Sequence, residues 1–417
     1  MCVAVALLTS ISSVVSAQER LVGRQSAGAG IAGETIGFGG SGLRQYNFVG
    51  LDSARITSLQ QVSTPITTAW SLGETWRVDL TALYATATIQ YRDAGKATDT
   101  RSATLSGVSD VRVRATGTLI NDLLVLTAGV NLPTGHTSLT PQEFGVLRIM
   151  AAPALGLGST PVGAGASGTM GLVAARKLGE WAVAMGGSYE HRGKYQPVAA
   201  LVAGAGSSDF QPGGVVRVSV TGDRTLGPHR LSVAVAADRF ADDELRTPSG
   251  GVLSPSSGPP SSGPPSTASS TRVRLGPVYS ADVQMSFAAP KLRALLAYAS
   301  IRARQPFARD GKTVSNSNGL YADAGVRAAL SLGPQRDLIL GADTRVHSGL
   351  GVDEGLPTAG VASGSLSAGL EFRRGLMSLQ PYVRGQAGSL RQRGVGSSAP
   401  SQSFSGVAGG LVVVTRF

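Results

Sequence analysis

Charged side chains stand at every second position along several segments of this chain, among small and apolar residues. Arg112 and Arg114, for example, alternate with Val111, Val113 and Ala115. Alternate residues of an extended chain point to the same face, so each such segment would collect its charges on one side. The residues placed in this way are Arg112, Arg114, Arg217, Asp223, Arg272, Arg274, Asp282, Asp323, Arg327, Asp343, Arg345 and Arg384.

Two kinds of chemistry are open to these charges. If they line a pore, the excess of arginine favours the passage of anions, because rings of positive charge attract them. Screening over about 8 Å at physiological salt would soften that preference. Alternatively, opposite charges pair across a filled interior and have a structural role. The sequence leaves both interpretations open.

Catalytic and metal-binding constellations are not evident. The four histidines, His136, His191, His229 and His347, are far apart, and no serine lies in a nucleophile-elbow pattern. Three adjacent acids at 242–244 supply too few oxygens for calcium by themselves. We therefore expect no enzymatic activity, no metal and no cofactor. The net charge of +11 comes without a basic run, so we expect no nucleic-acid partner.

Alternation is the main structural signal. Trp76, Val78 and Leu80 would share one face of a strand, and Arg77 and Asp79 the other. This pattern continues from about residue 54 to the C-terminus. Charged residues make up only 15% of the chain, against roughly 25% in soluble domains. Because any half-buried sheet alternates, a soluble sandwich is the alternative to a membrane barrel.

The connections between the alternating segments favour the barrel, because short and long ones occur strictly in turn. Outer-membrane barrels have short periplasmic turns and long external loops. The short connections lie near 72–74, 121–122, 178–180, 227–228, 290, 333–334 and 374–375. The long connections cover about 94–101, 136–167, 198–212, 247–270, 308–318, 351–361 and 394–401. The uncharged run between Arg148 and Arg176 is rich in Gly and Pro, which break helices, so it is expected to contain loop and strand.

These segments predict an all-β fold, a transmembrane antiparallel up-and-down β-barrel of about 16 strands. The first strand would lie within residues 30–48; 14 strands is the alternative, with residues 18–50 folded into the lumen as a plug. Residues 1–17 have the apolar stretch and small terminal residues of a signal peptide. Residues 18–417 would form one domain, and the Ser-, Gly- and Pro-rich stretch 248–270 a flexible extracellular loop.

Aromatic residues near the predicted strand ends suggest girdles at the two membrane interfaces, where amphipathic rings are favoured. On the periplasmic side these are Trp70, Trp76 and Trp181, and on the outer side Tyr91, Tyr189 and Phe307.

The last strand, 409–417 (GGLVVVTRF), alternates apolar residues and ends on Phe417. It resembles the C-terminal signal of bacterial outer-membrane proteins. That resemblance implies recognition of Phe417 by the barrel-assembly machinery, and location in the outer membrane with its lipid as partner.

Three further motifs occur at 107–111 (GVSDV), 132–135 (LPTG) and 156–159 (GLGS). Together they resemble outer-membrane transporters of the phenol-degradation meta-pathway type, relatives of the long-chain fatty-acid transporter. This resemblance covers roughly residues 54–197 and implies uptake of hydrophobic small molecules. The expected function is thus a passive channel or uptake transporter for a small-molecule solute, and the alternative is a structural barrel that displays loops for adhesion.

Overall fold

The computed structural model describes residues 26–39, 43–45, 54–93, 99–120, 123–150, 155, 157, 162–198, 208–247, 269–289, 292–348, 358–392 and 401–416. The predicted signal peptide, most of the stretch 248–270 and Phe417 lie outside these residues. No helix in the described ranges is long and apolar enough to cross a membrane.

Sixteen wall strands close into an antiparallel barrel, which confirms the predicted fold class and strand number. Fifteen of them are single strands: β1 (Ser26–Phe38), β3 (Ala54–Leu72), β4 (Trp76–Asp93), β7 (Leu124–Leu132), β8 (Ser167–Leu178), β9 (Trp181–Arg192), β12 (Val215–Leu226), β13 (His229–Phe240), β16 (Val278–Ala289), β17 (Leu292–Arg304), β20 (Gly319–Gly333), β21 (Arg336–Ser348), β22 (Thr358–Arg374), β23 (Met377–Gln392) and β24 (Ser401–Arg416). The remaining one consists of β5 (Thr100–Val108) and β6 (Val111–Leu119), and the short β2 (Leu43–Gln45) pairs with β3.

The ring closes because β1 pairs with β24 on one side and with β3 on the other. The first strand is therefore part of the wall, and it begins at Ser26, four residues before the predicted range. Closure leaves no strand edge along the barrel, so each peptide group in the wall finds a partner within the sheet. This is the condition for a sheet to exist in lipid, which offers no hydrogen-bond partners.

The outward face of the wall is apolar. Ile31, Met170, Leu366 and Val407 are all more than half exposed on this face. Without the membrane around the protein, side chains that contact lipid are exposed in this way. Trp76 lies flat over Gly117 of the neighbouring strand: a Cβ at Gly117 would lie 2.6 Å from ring atoms of Trp76.

Along β4 the two faces exchange their polarity. In the first half the outward residues are apolar, from Trp76 to Tyr84, and Arg77 and Asp79 face the lumen. In the second half Thr88 and Gln90 point outward, and the inward residues are apolar and buried: Ala85, Ala87, Ile89 and Tyr91. About ten residues suffice to cross the hydrocarbon, so the 18-residue β4 projects beyond the membrane on the long-loop side.

This exchange corrects one sequence-based prediction. Tyr91 and Phe307 were expected in an outer aromatic girdle, but both are buried, at 4% exposure. Tyr91 shares the inward face of β4 with Arg77 and Asp79, so its ring points into the lumen, where the inward face has become apolar. Tyr189, by contrast, is exposed, as are parts of Trp70.

A second, six-stranded sheet continues part of the wall on the long-loop side. It consists of β10 (Tyr195–Val198), β11 (Ser208–Gln211), β14 (Asp242–Thr247), β15 (Ser269–Arg274), β18 (Ala308–Arg309) and β19 (Lys312–Thr313). The chain changes from one sheet to the other at glycines. A Cβ at Gly213 would collide with the carbonyl of Ala241, and one at Gly276 with that of Gln305.

The connection between β7 and β8 contains a helix, α1 (Pro141–Met150), where the sequence predicted only a long loop. Of the run between Arg148 and Arg176, predicted as loop and strand, only Ile149 and Met150 belong to this helix. Thr140 and Glu143 form a capping box at its start. Glu143 Oε2 accepts a hydrogen bond from the Thr140 N–H at 2.8 Å, and Thr140 Oγ1 accepts one from the Glu143 N–H at 3.3 Å. Pro141 occupies the first helical position. The capping box and this proline start the helix through local interactions, although glycines follow in the sequence.

Candidate functional site: the barrel lumen

Ten of the twelve charged residues singled out from the sequence lie in barrel strands: six arginines and four aspartates. The other two, Arg272 and Arg274, lie in β15 of the second sheet. There Arg274 forms an ion pair with Asp242 at 3.8 Å, and the Arg272 N–H donates to Asp310 at 2.9 Å. The chain passes from the second sheet to the barrel wall between β15 and β16. The alternation along 271–289 continues without a break and did not reveal this change.

Most of the ten charges in the wall form ion pairs with another strand, either the adjacent one or the next one along. Arg345 Nε lies 2.9 Å from Asp323, and Arg384 lies 3.1 Å from Asp343. Ser365 joins the second pair, since its hydroxyl donates to Asp343 and accepts from Arg384. Cross-strand pairs of this kind hold both side chains against the wall and keep them out of the centre.

Further pairs follow the same principle. Arg114 lies 3.5 Å from Asp79, Arg217 lies 3.7 Å from Asp238, and Asp223 accepts two hydrogen bonds from Arg230. Within the described part of the chain, Arg112, Arg327 and Asp282 form no ion pair. The lumen thus retains two unpaired arginines and one unpaired aspartate among the predicted residues.

Two lumenal groups were missed from the sequence. Asp337, 1% exposed, is held by Arg373 at 2.8 Å and Arg293 at 3.3 Å near the short-turn end. Glu34 of β1 accepts a hydrogen bond from Gln386 at 2.7 Å. Glu34 is the only acid in an otherwise small and apolar strand, and this isolation was the signal that could have identified it.

Asp110 lies at an irregularity of the barrel wall and binds the connection between β7 and β8. Tyr84 pairs with Val108 and Thr81 with Arg112, so the two residues 82–83 of β4 face the three residues 109–111. This is a β-bulge, which inserts one residue and turns Asp110 away from the ladder. Its carboxylate accepts hydrogen bonds from the N–H groups of Gly135 and Ala164, at 3.0 and 2.7 Å.

The bulge brings two of the three resembling motifs together. Thr134 of the LPTG segment accepts a hydrogen bond from the Val111 N–H at 2.9 Å. Gly135 packs so closely on Gly163 that a Cβ on either residue would overlap the other's backbone. Of the third motif, 156–159, only Leu157 is described, and it is buried.

Between these two fixed ends, the described residues 139–150, 155, 157 and 162 form an inner segment that lies inside the barrel. Val146, Leu147, Ile149 and Met150 of α1 are at most 2% exposed and belong to the same cluster as inward residues of the wall. The wall residues in that cluster come from seven strands: Ile36, Phe38, Ile56, Leu59, Ala87, Ile89, Tyr91, Ala103, Leu105, Val361, Leu390 and Phe404. The outer part of the lumen is therefore filled along β22–β24, β1 and β3–β5 by an apolar core.

The opposite side of the lumen carries charge at its outer end. Arg192, at 5% exposure, has Nε and Nη2 atoms without a hydrogen-bond partner, and Asp243 at the base of the second sheet is 3% exposed. Asp243 accepts a hydrogen bond from the Gly213 N–H at 2.6 Å. Burial raises the pKa of Asp243 to about 6, although the Gly213 hydrogen bond and Arg192 lower it. Burial and the charge of Asp243 also raise the pKa of Tyr195.

A closed wall with an apolar outer band and charges inside is stable only across a lipid bilayer, because exposed apolar bands of this extent are not tolerated in water. The chain is a transmembrane β-barrel of the outer membrane. Its bulge, inner segment and charged wall together form the site through which any solute would have to pass.

No protein-family model matches this chain, and no curated protein matches it in sequence. Solved structures of outer-membrane proteins are similar to it in fold. A FadL homologue of Pseudomonas aeruginosa is 11% identical, with 94% of this chain and 90% of that chain covered and a TM-score of 0.44. OprB of Pseudomonas putida is 11% identical, with 97% of each chain covered and a TM-score of 0.42. A TodX mutant described as a monoaromatic hydrocarbon channel is 11% identical, covers 94% and 90%, and has a TM-score of 0.43.

Proposed function

We propose that this barrel is a passive channel for small molecules, with a modest preference for anions. The observation that carries the proposal is the paired charge lattice on the inner wall, exemplified by Arg345–Asp323 and Arg384–Asp343. Buried charges are tolerated beside water and are costly in a dry core. A wall of 16 strands encloses an aqueous channel when its interior is not filled with side chains.

The preference for anions rests on the balance of lumenal charge. Six arginines and four aspartates of the predicted set belong to the wall. Among the described residues, Arg112, Arg327 and Asp282 of this set form no ion pair, so one positive charge remains in excess among the unpaired groups of the set. Unpaired guanidinium groups keep their full field toward a passing solute, whereas those in ion pairs are largely neutralised at short range. Screening at physiological salt limits the effect to solutes within about 8 Å of the wall.

The inner segment decides between polar and apolar solutes. Apolar wall residues such as Ile89, Leu105 and Phe404 pack in one cluster with the inner segment, so a hydrophobic solute meets them only when that segment moves. Uptake of hydrophobic solutes is therefore the finer form of this proposal, and it requires displacement of α1. Polar solutes would pass on the opposite, charged side.

Single-channel recording in planar bilayers tests the proposal. We expect discrete current steps, and a reversal potential in a KCl gradient whose sign shows chloride passing faster than potassium. The absence of steps, together with no solute flux into liposomes, would exclude a channel and favour a structural barrel that displays its loops. Swelling of liposomes in apolar and polar solutes of equal size separates the two forms of uptake.

A further inference from the structure

Two shallow grooves lie on the outward face of β6–β9. A groove near the short turn at 179–180 is lined by Leu124, Ala174, Val183 and Met185. A second groove lies farther up the same strands, over Ala115, Ala128 and Gly168, with Met170 and Tyr189 at its sides. Small side chains form the floor of each groove and longer ones its sides. The two grooves follow one another along the direction that a lipid chain takes in a membrane.

A cation stands at the lower end of this face. Arg176 lines the groove beside Leu178, points outward between apolar neighbours and forms no ion pair with any described residue. Trp181 lies on the adjacent strand, in register with Leu178. On the far side of that ring, Arg224 stacks over Trp181 at 5.8 Å and is neutralised by its ion pair with Glu180. Arg176 thus keeps its charge available at the level of the periplasmic interface.

An arginine at the membrane interface extends its guanidinium toward the head groups, where it is stabilised by an anion. The short turn at 179–180 identifies this end as periplasmic, by the ordering of short and long connections. The groove above Arg176 is apolar and open toward the bilayer, so its natural occupant is an acyl chain. A phospholipid supplies both partners, because its phosphate pairs with the arginine and one of its acyl chains fills the groove.

We infer that the outward face of β7–β9 binds a phospholipid of the periplasmic leaflet, with its phosphate on Arg176 and an acyl chain in the grooves. Guanidinium groups suit this role because they form two parallel hydrogen bonds to phosphate oxygens. The site is independent of whether the lumen conducts, since it lies on the opposite face of the wall.

Native mass spectrometry of the detergent-purified, delipidated full chain tests this inference. The probes are phosphatidylglycerol and a diacylglycerol with the same acyl chains but no phosphate. We expect one phosphatidylglycerol to bind the wild type, and the diacylglycerol to bind about tenfold more weakly. Arg176→Gln should weaken phosphatidylglycerol about tenfold, which corresponds to the loss of one charge-assisted interaction.

Arg336→Gln is the matched control, because Arg336 also points outward at the short-turn end of a strand but lines neither groove. We expect it to bind phosphatidylglycerol as the wild type does. Ala174→Phe, which fills the groove and leaves Arg176 in place, should weaken both lipids. Equal binding by wild type and Arg176→Gln would overturn the inference, and so would equal weakening by Arg336→Gln. A stable dimer that buries this face would also overturn it, because a second copy would then be the occupant.

Discussion

The Asp110 carboxylate accepts a hydrogen bond from the Ala164 N–H at 2.7 Å, across 54 residues of sequence. The same carboxylate holds Gly135 at the other end of the inner segment, so one side chain fixes both ends of the chain that fills the outer lumen. This bulge residue therefore connects the wall of the barrel to the contents of its lumen.

We expect Asp110→Ala to release the inner segment from the lumen. Each hydrogen bond to the charged carboxylate contributes about 1.5–3 kcal/mol, and both would be lost. The channel conductance should rise, and the inner segment should become sensitive to added protease while the barrel stays folded. Asp209→Ala, at an exposed acid of the second sheet, serves as the control. An unchanged conductance and protease pattern in Asp110→Ala would show that apolar packing alone holds the segment.

The exchange of polarity along β4 predicts opposite tolerances for one substitution at two outward positions. Leu80→Arg places a charge in the lipid-facing band and should cost about 2–4 kcal/mol of unfolding free energy. Gln90→Arg, ten residues farther along the same face, should cost almost nothing, because that part of β4 faces water. Urea unfolding in lipid vesicles measures both. Similar losses for the two variants would mean that the membrane covers the whole strand.

Trp76 and Gly117 are expected to be coupled. A methyl group at Gly117 would lie 2.6 Å from the Trp76 ring, so Gly117→Ala should cost about 1–3 kcal/mol through overpacking. In the background of Trp76→Ala the same change should be nearly neutral. A double-mutant cycle measured by urea unfolding gives the coupling energy. Additive effects of the two changes would contradict the stacked arrangement.

Asp243 should make the junction between barrel and second sheet less stable as pH rises. Its pKa is about 6 in the folded chain and 3.8 in the reference state, so the folded state holds the proton more tightly. The stability it contributes is complete below pH 4, falls between about pH 4 and 6, and stays low above that, by about 3 kcal/mol in all. Hydrogen exchange of β14 amides measures this.

Asp243→Asn keeps an oxygen that can accept from the Gly213 N–H but carries no charge. The fall in protection between pH 4 and 6 should therefore disappear in this variant. Asp242→Asn, at a side chain that is 52% exposed, should retain it. If all three proteins show the same pH profile, another group is responsible.

Arg327 should contribute to anion preference more than Arg345 does, because Arg345 is neutralised by Asp323 at 2.9 Å. We expect Arg327→Gln to shift the reversal potential toward zero in a KCl gradient. Arg345→Gln should instead leave Asp323 unpaired and shift the potential toward cation preference. Reversal potentials of equal size and sign in the two variants would contradict this arrangement of paired and unpaired charge.

The sequence by itself predicted the approximate bounds of the wall strands and a number of about 16, with 14 as the alternative that the pairing of β1 with β24 and β3 excluded. Strand periodicity is local, since each residue points opposite to the next, and turns such as 227–228 and 333–334 interrupt it at fixed places. The lumen-facing positions in strands with uniform alternation, such as Asp323 and Arg345, followed from the same rule. The helix α1 was also locally encoded, through Thr140, Pro141 and Glu143, but the surrounding glycines concealed it.

Only the tertiary structure decided what fills the lumen and where the membrane ends. The bulge at Asp110 shifts the alternation by one residue. Its structural role follows from the hydrogen bonds that Gly135 and Ala164 donate to Asp110, and these contacts exist only in the folded chain. Tyr91 was assigned to the wrong environment for the same reason, since an apolar residue on a strand does not reveal whether lipid or a buried core will cover it. Whether lipid or a core covers the residue depends on packing between residues distant in sequence, such as Ile89 and the inner segment. The alternation along a single strand does not specify such packing.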